Sequence, residues 1–178
     1  MTTMSKIIYG SNEIAGAIAI MAADILAVHS EEPVLIGIRR GGLILSDRLA
    51  EILGQKMGSL PQRGIIDINL YRDDWTKARA LPKVGKTEIP FRLDDRRVVL
   101  VDDVLFTGRT VRAALEALVE FGRPSRIELA VLVDRGHREM PIHADYAPFK
   151  IPTILDQRVN VYFQGQDDHP ADEVVLED

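Results

Sequence analysis

The chain has 178 residues, 46% of them hydrophobic and 28% charged, with a formal net charge of −5 and no cysteine. This is the make-up of one ordinary globular domain with its own core. It excludes a disordered chain, a disulfide framework and a thiolate metal site. The acidic balance argues against bulk nucleic-acid binding but leaves room for a local basic patch.

Ser11 is placed to cap a helix running to about Val28, with Glu13 in its first turn. The apolar stretch from Ile14 to Val28 is interrupted by Asp24, lacks a basic leader and is short for a bilayer span. A cytoplasmic location is therefore expected. Pro33 to Ile38 reads as a buried strand, and Leu43 to Leu53 as a helix stopped by Gly54. Ile65 to Leu70 reads as a second strand. The segment from Tyr71 to Pro90 is polar, carries Lys77, Arg79, Lys83 and Lys86, and shows no periodicity. Long irregular loops in compact domains are commonly lids, so a lid over about 71–90 is expected, with Tyr71 and Arg72 toward the ligand and Trp75 in packing or an interface contact.

Val98 to Val101 is a third buried strand, followed by a helix to Phe121, and Ile127 to Val133 is a fourth. Short strands are expected near Arg158 to Phe163 and Glu173 to Leu176. With no repeat and no linker, residues 1–178 read as a single domain. Alternating strands and helices predict an α/β fold, an open and mainly parallel sheet flanked by helices. Its ligands should gather at the carboxyl ends of the strands.

The richest stretch is Val98-Val-Leu-Val-Asp-Asp-Val-Leu-Phe-Thr-Gly-Arg-Thr110. A buried strand, two adjacent acids and a Thr-Gly-Arg-Thr turn opening a helix make a phosphate cradle. Free backbone N–H groups and the helix dipole favour an anion there. The acids suit sugar hydroxyls or a hard cation such as Mg²⁺. Ile38-Arg-Arg-Gly-Gly42 forms a second anion site by the same logic. Standing alone, either feature also reads as an ordinary strand–helix turn with solvated side chains.

The stretch around Asp102 resembles the PRPP-binding motif of the type I phosphoribosyltransferases. Asp67-Ile-Asn-Leu-Tyr-Arg-Asp-Asp74, Gly122-Arg-Pro-Ser125 and Leu132-Val-Asp-Arg-Gly-His-Arg-Glu-Met-Pro-Ile142 are similar to segments of the bifunctional PyrR family. Members of that family are pyr operon attenuators that bind mRNA and act as uracil phosphoribosyltransferases. The similarity runs from about Ile7 to Phe163. It implies the type I phosphoribosyltransferase fold with a small hood, formed mainly by about 140–178.

The resemblance also implies roles. Asp102 and Asp103 would be catalytic, holding the ribose hydroxyls and favouring oxocarbenium-like charge. Asp103 is also a candidate base for the nucleobase N–H. Val104, Leu105, Phe106, Thr107, Gly108, Arg109 and Thr110 would bind the 5′-phosphate of PRPP. Arg39, Arg40 and Gly41 would form the pyrophosphate loop. Asp134 and Arg135 would border ribose and pyrophosphate, with backbone near Val159 at the base edge. Mg²⁺ would act through the substrate, with Asp102 and Asp103 as candidate ligands. The implied partners are PRPP, uracil, UMP and a pyr leader mRNA, in a homodimer or homotetramer. Arg138, His143 and Lys150 are the RNA candidates. His137, alone in sequence, reads as surface or structural.

Three departures bear on this reading. The family usually has Thr-Arg-Gly where this chain has Arg40-Gly41-Gly42, a pattern closer to purine-using enzymes. His143 stands at a usual arginine position. From Ser11 to Glu32 there is no lysine or arginine, so fewer RNA phosphate contacts are expected. The apolar helix there suits a core or an oligomer interface. Two rivals stay open: a non-catalytic RNA-binding nucleotide sensor, and a phosphoribosyltransferase for a purine base.

Overall fold

The structure, a computed structural model, describes residues 5–28, 32–68 and 86–178. The elements in order are β1 (Ser5–Tyr9), α1 (Ser11–Val28), β2 (Val34–Ile38), α2 (Gly41–Met57), β3 (Arg63–Ile66), β4 (Arg97–Leu105) and α3 (Arg109–Leu118). A 3₁₀ turn, Val119–Phe121, extends α3. Then follow β5 (Arg126–Asp134), β6 (Phe149–Lys150), β7 (Arg158–Tyr162), a 3₁₀ turn at Gln166–Asp168 and β8 (Glu173–Glu177).

Two sheets result. The larger has the order β3-β2-β4-β5-β6, and every pair in it is parallel. All five residues of β2 are buried, as is the run Val98 to Asp102 of β4. That is the signature of strands covered on both faces. Helices α1 and α2 cover one face, where Ile14, Ile18, Met21, Ile25, Leu45, Leu49 and Leu53 meet Leu35, Val99 and Val101. Helix α3 covers the other, setting Val111, Ala114 and Leu118 among Ile36, Val98, Leu100 and Val131. The smaller sheet is antiparallel, order β1-β8-β7. It is the hood, and it shares a core with the α1/α2 face through Val159, Val161, Phe163 and Val174.

Several boundaries differ from the sequence reading, each for a physical reason. Helix α2 runs past Gly54 to Met57 and ends at Gly58 in the left-handed conformation, φ 82°. Gly54 stays helical because the chain returns over it; a Cβ there would lie 2.7 Å from Leu60 Cδ2. Strand β4 continues beyond Val101 to Leu105, because its parallel register with β5 continues to Leu105 against Asp134. The hood is not purely C-terminal. It takes β1, to which the sequence reading assigned no strand, whereas Phe149 and Lys150 join the main sheet beside β5. Ser11 does not bond within its own helix. Its hydroxyl donates to Asp172 O and accepts from Asp172 N, while Glu13 Oε2 accepts from Gly10 N at 2.8 Å. Helix α1, 18 residues long, is apolar enough by composition to cross a bilayer. It nevertheless serves as a core helix, with a buried stripe from Ile14 to Ile25.

Asp172, at the start of β8, ties hood to body. Arg48 of α2 grips its carboxylate with both terminal nitrogens, Nη2 donating to Oδ1 at 2.8 Å. Gln164 N donates to the same Oδ1 at 2.7 Å, and the Arg48 guanidinium lies 4.8 Å over the Phe163 ring. The hydrogen bond from Arg48 holds the Asp172 carboxyl below its usual range. Its contribution to stability is therefore present above the ordinary carboxylate range and lost as pH falls through the lowered native value. Asp172→Ala is expected to cost about 3 kcal/mol at neutral pH, because it leaves Arg48 unpaired beside the core. Urea melts should show this loss shrinking below about pH 3; a variant as stable as the parent at pH 7 would contradict the assignment.

Candidate active site

Strand β4 is the centre of the parallel sheet, and its carboxyl end carries Asp102 and Asp103. Asp102 is buried and Asp103 half-buried. Each carboxylate is held by the next peptide: Asp102 Oδ1 accepts from Asp103 N at 3.0 Å, and Asp103 Oδ1 from Val104 N at 2.8 Å. Burial pushes both carboxyls up, and for Asp102 the adjacent Asp103 charge pushes further.

The loop after β2 is pressed against these acids. A Cβ on Gly41 would sit 2.0 Å from Asp103 Oδ2, and one on Gly42 would sit 2.2 Å from Val101 O. Only glycine fits at either place. The Arg40-Gly41-Gly42 departure thus has a steric basis in this chain. The Arg39–Arg40 peptide is cis. Arg40 is exposed, while half-buried Arg39 turns toward the 86–88 segment. Its Nη2 donates to Lys86 O at 3.1 Å, and its Nε lies 3.8 Å from Oδ2 of the buried Asp67. Asp67 N in turn donates to Thr87 Oγ1 at 3.0 Å.

Beyond the acids, the predicted phosphate segment divides. Val104 and Leu105 are strand residues rather than loop. The Val104 N–H is spent on Asp103, and the Leu105 side chain is buried in the α3-side core. The turn proper is Phe106 to Thr110. Gly108, φ 91°, caps α3 in a left-handed conformation, and Arg112 N makes the bond back to its carbonyl at 2.9 Å. Thr107 Oγ1 accepts from Arg109 N at 3.4 Å. Arg109 points outward, its Nε donating to Glu139 Oε2 at 2.6 Å.

The segment after β5 wraps this turn. Thr107 O accepts from both Glu139 N and Met140 N, at 3.0 and 3.2 Å. Arg135 is buried. Its guanidinium stacks 3.9 Å over the Phe106 ring, and its Nη2 donates to the carbonyls of Ile154 and Leu155. His137 Nε2 lies 2.8 Å from Thr153 O. Asp134 Oδ1 accepts from Gly136 N at 3.0 Å and its other oxygen pairs with Arg138. His143 and Lys150 are exposed. Val159 sits in β7 opposite Leu176, with its side chain in the hood core.

Thus Asp102, Asp103, Gly41, Thr107 and Gly108 gather at one end of the sheet, and Arg135 links them to the hood. Tyr71, Arg72 and Trp75, with most of the expected lid, lie outside the described residues. Sequence reasoning missed Thr87 and the carbonyls of Ile154 and Leu155, and it noticed Gly42 only within the Ile38–Gly42 segment. Asp67 was noticed only as part of a motif. A cleft of about 860 Å³ lies elsewhere, between α2, β3 and the 86–90 segment, lined by Ser46, Asp47, Arg63, Thr87 and Phe121 among others. None of the acid-pair or phosphate-turn residues lines it. Among the described residues no cluster of three or more acidic, His or Cys side chains forms a metal cage.

Ionising a carboxyl with a raised native value costs folding free energy. Stability should therefore fall as pH rises from the ordinary carboxylate range through the raised values of Asp102 and Asp103. Asp102→Asn is expected to melt higher than the parent at pH 7. The gap should close below about pH 3, where the acids are protonated in both states. Calorimetric melts across pH check this, and an unchanged or lower Tm at pH 7 would contradict it.

Comparison with known proteins agrees with this geometry. The chain matches the phosphoribosyl transferase domain over residues 5–164. It is 44% identical to the bifunctional protein PyrR of Syntrophobacter fumaroxidans, over 97% of this chain and 93% of that protein. It is 47% identical to the bifunctional protein PyrR of Deinococcus radiodurans, over 94% and 92%. In structure it is similar to Trypanosoma cruzi hypoxanthine phosphoribosyl transferase, with a TM-score of 0.72, covering 96% of this chain and 90% of that one at 20% identity. That last likeness shows the fold alone. Identity at the level of the first two, along nearly the full length of both chains, means that this chain belongs to the PyrR family of phosphoribosyl transferases.

Proposed function

We propose that the protein transfers the phosphoribosyl group of PRPP to uracil, giving UMP and pyrophosphate. The observation that carries this reading is the acid pair at the carboxyl end of β4, with the start of α2 on one side and that of α3 on the other. Two helix N-termini offer two anion sites, and two carboxylates lie between them. That suits a sugar with a phosphate at one end and a pyrophosphate at the other. The Thr107–Thr110 turn takes the 5′-phosphate, and the Arg39–Gly41 loop takes the pyrophosphate.

In the reaction the uracil N1–C1′ bond forms and the C1′–oxygen bond to pyrophosphate breaks. Positive charge develops on the ribose as the leaving group departs. Asp102 and Asp103 stabilise it from fixed positions, without reorganisation. The raised carboxyl of Asp103 also suits acceptance of the N1 proton. Mg²⁺ fits as an ion held chiefly by substrate oxygens with one or both acids, since it keeps few protein ligands. When bound it neutralises charge on the leaving pyrophosphate. For the base, β7 is an edge strand of the hood, so alternate backbone groups near Val159 point away from β8. These are suited to pairing with a pyrimidine edge. The lid reading for Tyr71 and Arg72 rests on sequence.

A second role, as a UMP-responsive regulator of pyrimidine genes by mRNA attenuation, is favoured by the shared family. His143 and Lys150, two of the three RNA candidates, are exposed, and a homodimer or homotetramer would enlarge the surface that carries them. Helix α1 brings no cation to it.

An acceptor screen with PRPP and Mg²⁺ is the direct test. Uracil should be the fastest acceptor and hypoxanthine and guanine poor ones; faster turnover of a purine would overturn the reading. Asp103→Asn should lower the uracil rate by about a hundredfold or more while the circular dichroism spectrum is kept. For RNA, binding to a pyr leader should be weak with a shallow salt slope, each missing phosphate contact removing about 0.7–0.9 from the log–log slope. Tight, steeply salt-dependent binding in filter assays would contradict that expectation.

A further inference from the structure

Arg138 was singled out from sequence as a cation for RNA, yet its guanidinium faces inward. Nε donates to Ile142 O at 3.0 Å, and Nη1 to Phe106 O at 2.6 Å and Gly136 O at 3.2 Å. Nη2 pairs with Asp134 Oδ2. Four of its five N–H donor sites are thereby directed at the protein. One planar fork joins three chain segments: the end of β5, the loop that follows it and the residue immediately before Thr107.

The contact at Phe106 is the informative one. Phe106 is where β4 leaves the sheet and turns into the phosphate cradle. Its carbonyl is held by Arg138 and its ring by Arg135. One residue later, Thr107 O is held by Glu139 N and Met140 N. Next to these, Arg109 is held by Glu139 and Gly108 rests against Met140 and Ile142, its would-be Cβ 3.4 Å from each. The cradle is fixed from outside by the 134–142 segment, and Arg138 is the residue that shapes that segment.

Resting on the phosphoribosyl-transfer reading, we infer that Arg138 is a positioning residue for the phosphate turn: its fork to Phe106, Gly136, Ile142 and Asp134 sets the cradle that receives the 5′-phosphate. It acts through Phe106 and Thr107 and does not touch substrate. The requirement is for arginine geometry, since a lysine brings the charge but cannot reach four acceptors in one plane. The same wiring links the surface on which His143 lies to the substrate turn. An anion drawing Arg138 outward would loosen phosphate binding, and a bound phosphate would oppose that movement.

The test compares wild type with Arg138→Lys and Arg138→Met. Calorimetry reads PRPP–Mg²⁺ binding, steady-state kinetics read KM for PRPP and for uracil, and hydrogen exchange reads the amides of Glu139 and Met140 without ligand. Displacing the turn should weaken PRPP by about ten- to hundredfold in the methionine variant, with lysine restoring little. KM for uracil should stay within about twofold, because the base site is formed elsewhere. The Glu139 and Met140 amides should exchange faster in both variants. PRPP affinity and amide exchange unchanged in the folded variants, with pyr leader RNA bound more weakly and the salt slope shallower by about one contact, would overturn the inference and make Arg138 an RNA contact. Should the methionine variant fail to fold, the lysine variant gives the same readouts. Should wild type fail to use uracil, the reading of the base falls. PRPP binding and amide exchange would still decide Arg138: loss and faster exchange support the inference, and no change overturns it.

Discussion

The whole site depends on one close approach. The loop after β2 lies so near the end of β4 that no side-chain carbon fits at Gly41 or Gly42. This contact sets the separation between the start of α2 and the acid pair. It works because β2 and β4 are adjacent parallel strands, paired from Val34 and Val98 through Gly37 and Val101. The backbone amides at the start of α2 and the carboxylates of β4 then occupy one small volume. A bulkier residue would push the loop away and separate the groups that must act together.

The same crowding makes the acids expensive to ionise. Asp102 and Asp103 stand next to each other, one buried and one half-buried, each held by the amide of the following residue and with no cation of the chain pairing with them among the interactions that shift them. A protein optimised for stability alone would put neutral residues there. Their presence marks a place where local folding preference yields to chemistry, and it also anticipates a cation or a developing positive charge as their complement. Asp172, by contrast, sits in a full set of donors and strengthens the fold. Carboxylates of one residue type thus serve opposite ends, according to whether their partners belong to the chain or to the ligand.

Elements governed by local signals were legible in the sequence. The buried runs in β2, β4 and β5 announced a parallel sheet, and the Thr-Gly-Arg-Thr turn announced the start of α3. What depended on distant contacts was not legible. Gly54 looked like a helix stop, because nothing local shows Leu60 folding back over it. The first strand was overlooked, because Ser5–Tyr9 acquires its role only from β8. Ser11 looked like a helix cap, and its real partner lies 161 residues away. Arg138 looked like a free cation because three of its four acceptors are backbone carbonyls, which leave no mark in composition. The division of Val104 and Leu105 from the turn after them was hidden too, since only the register with β5 shows where the strand ends.

The pairing of β1 with β8 has a consequence for how the molecule is made. Ser5 is made long before its partner Glu177. The parallel sheet can condense while the chain is still growing, but the strand at 5–9 has no partner until 173–177 arrives. Among the described elements the antiparallel sheet is therefore the last to close. A chain stalled after α3 already holds the acids and the phosphate turn, yet has neither the hood nor the 134–142 segment that braces the turn. Closure of the fold is in this sense an act of completion: truncated products of synthesis carry the acid pair and the turn without the sheet that finishes the α1/α2-side core.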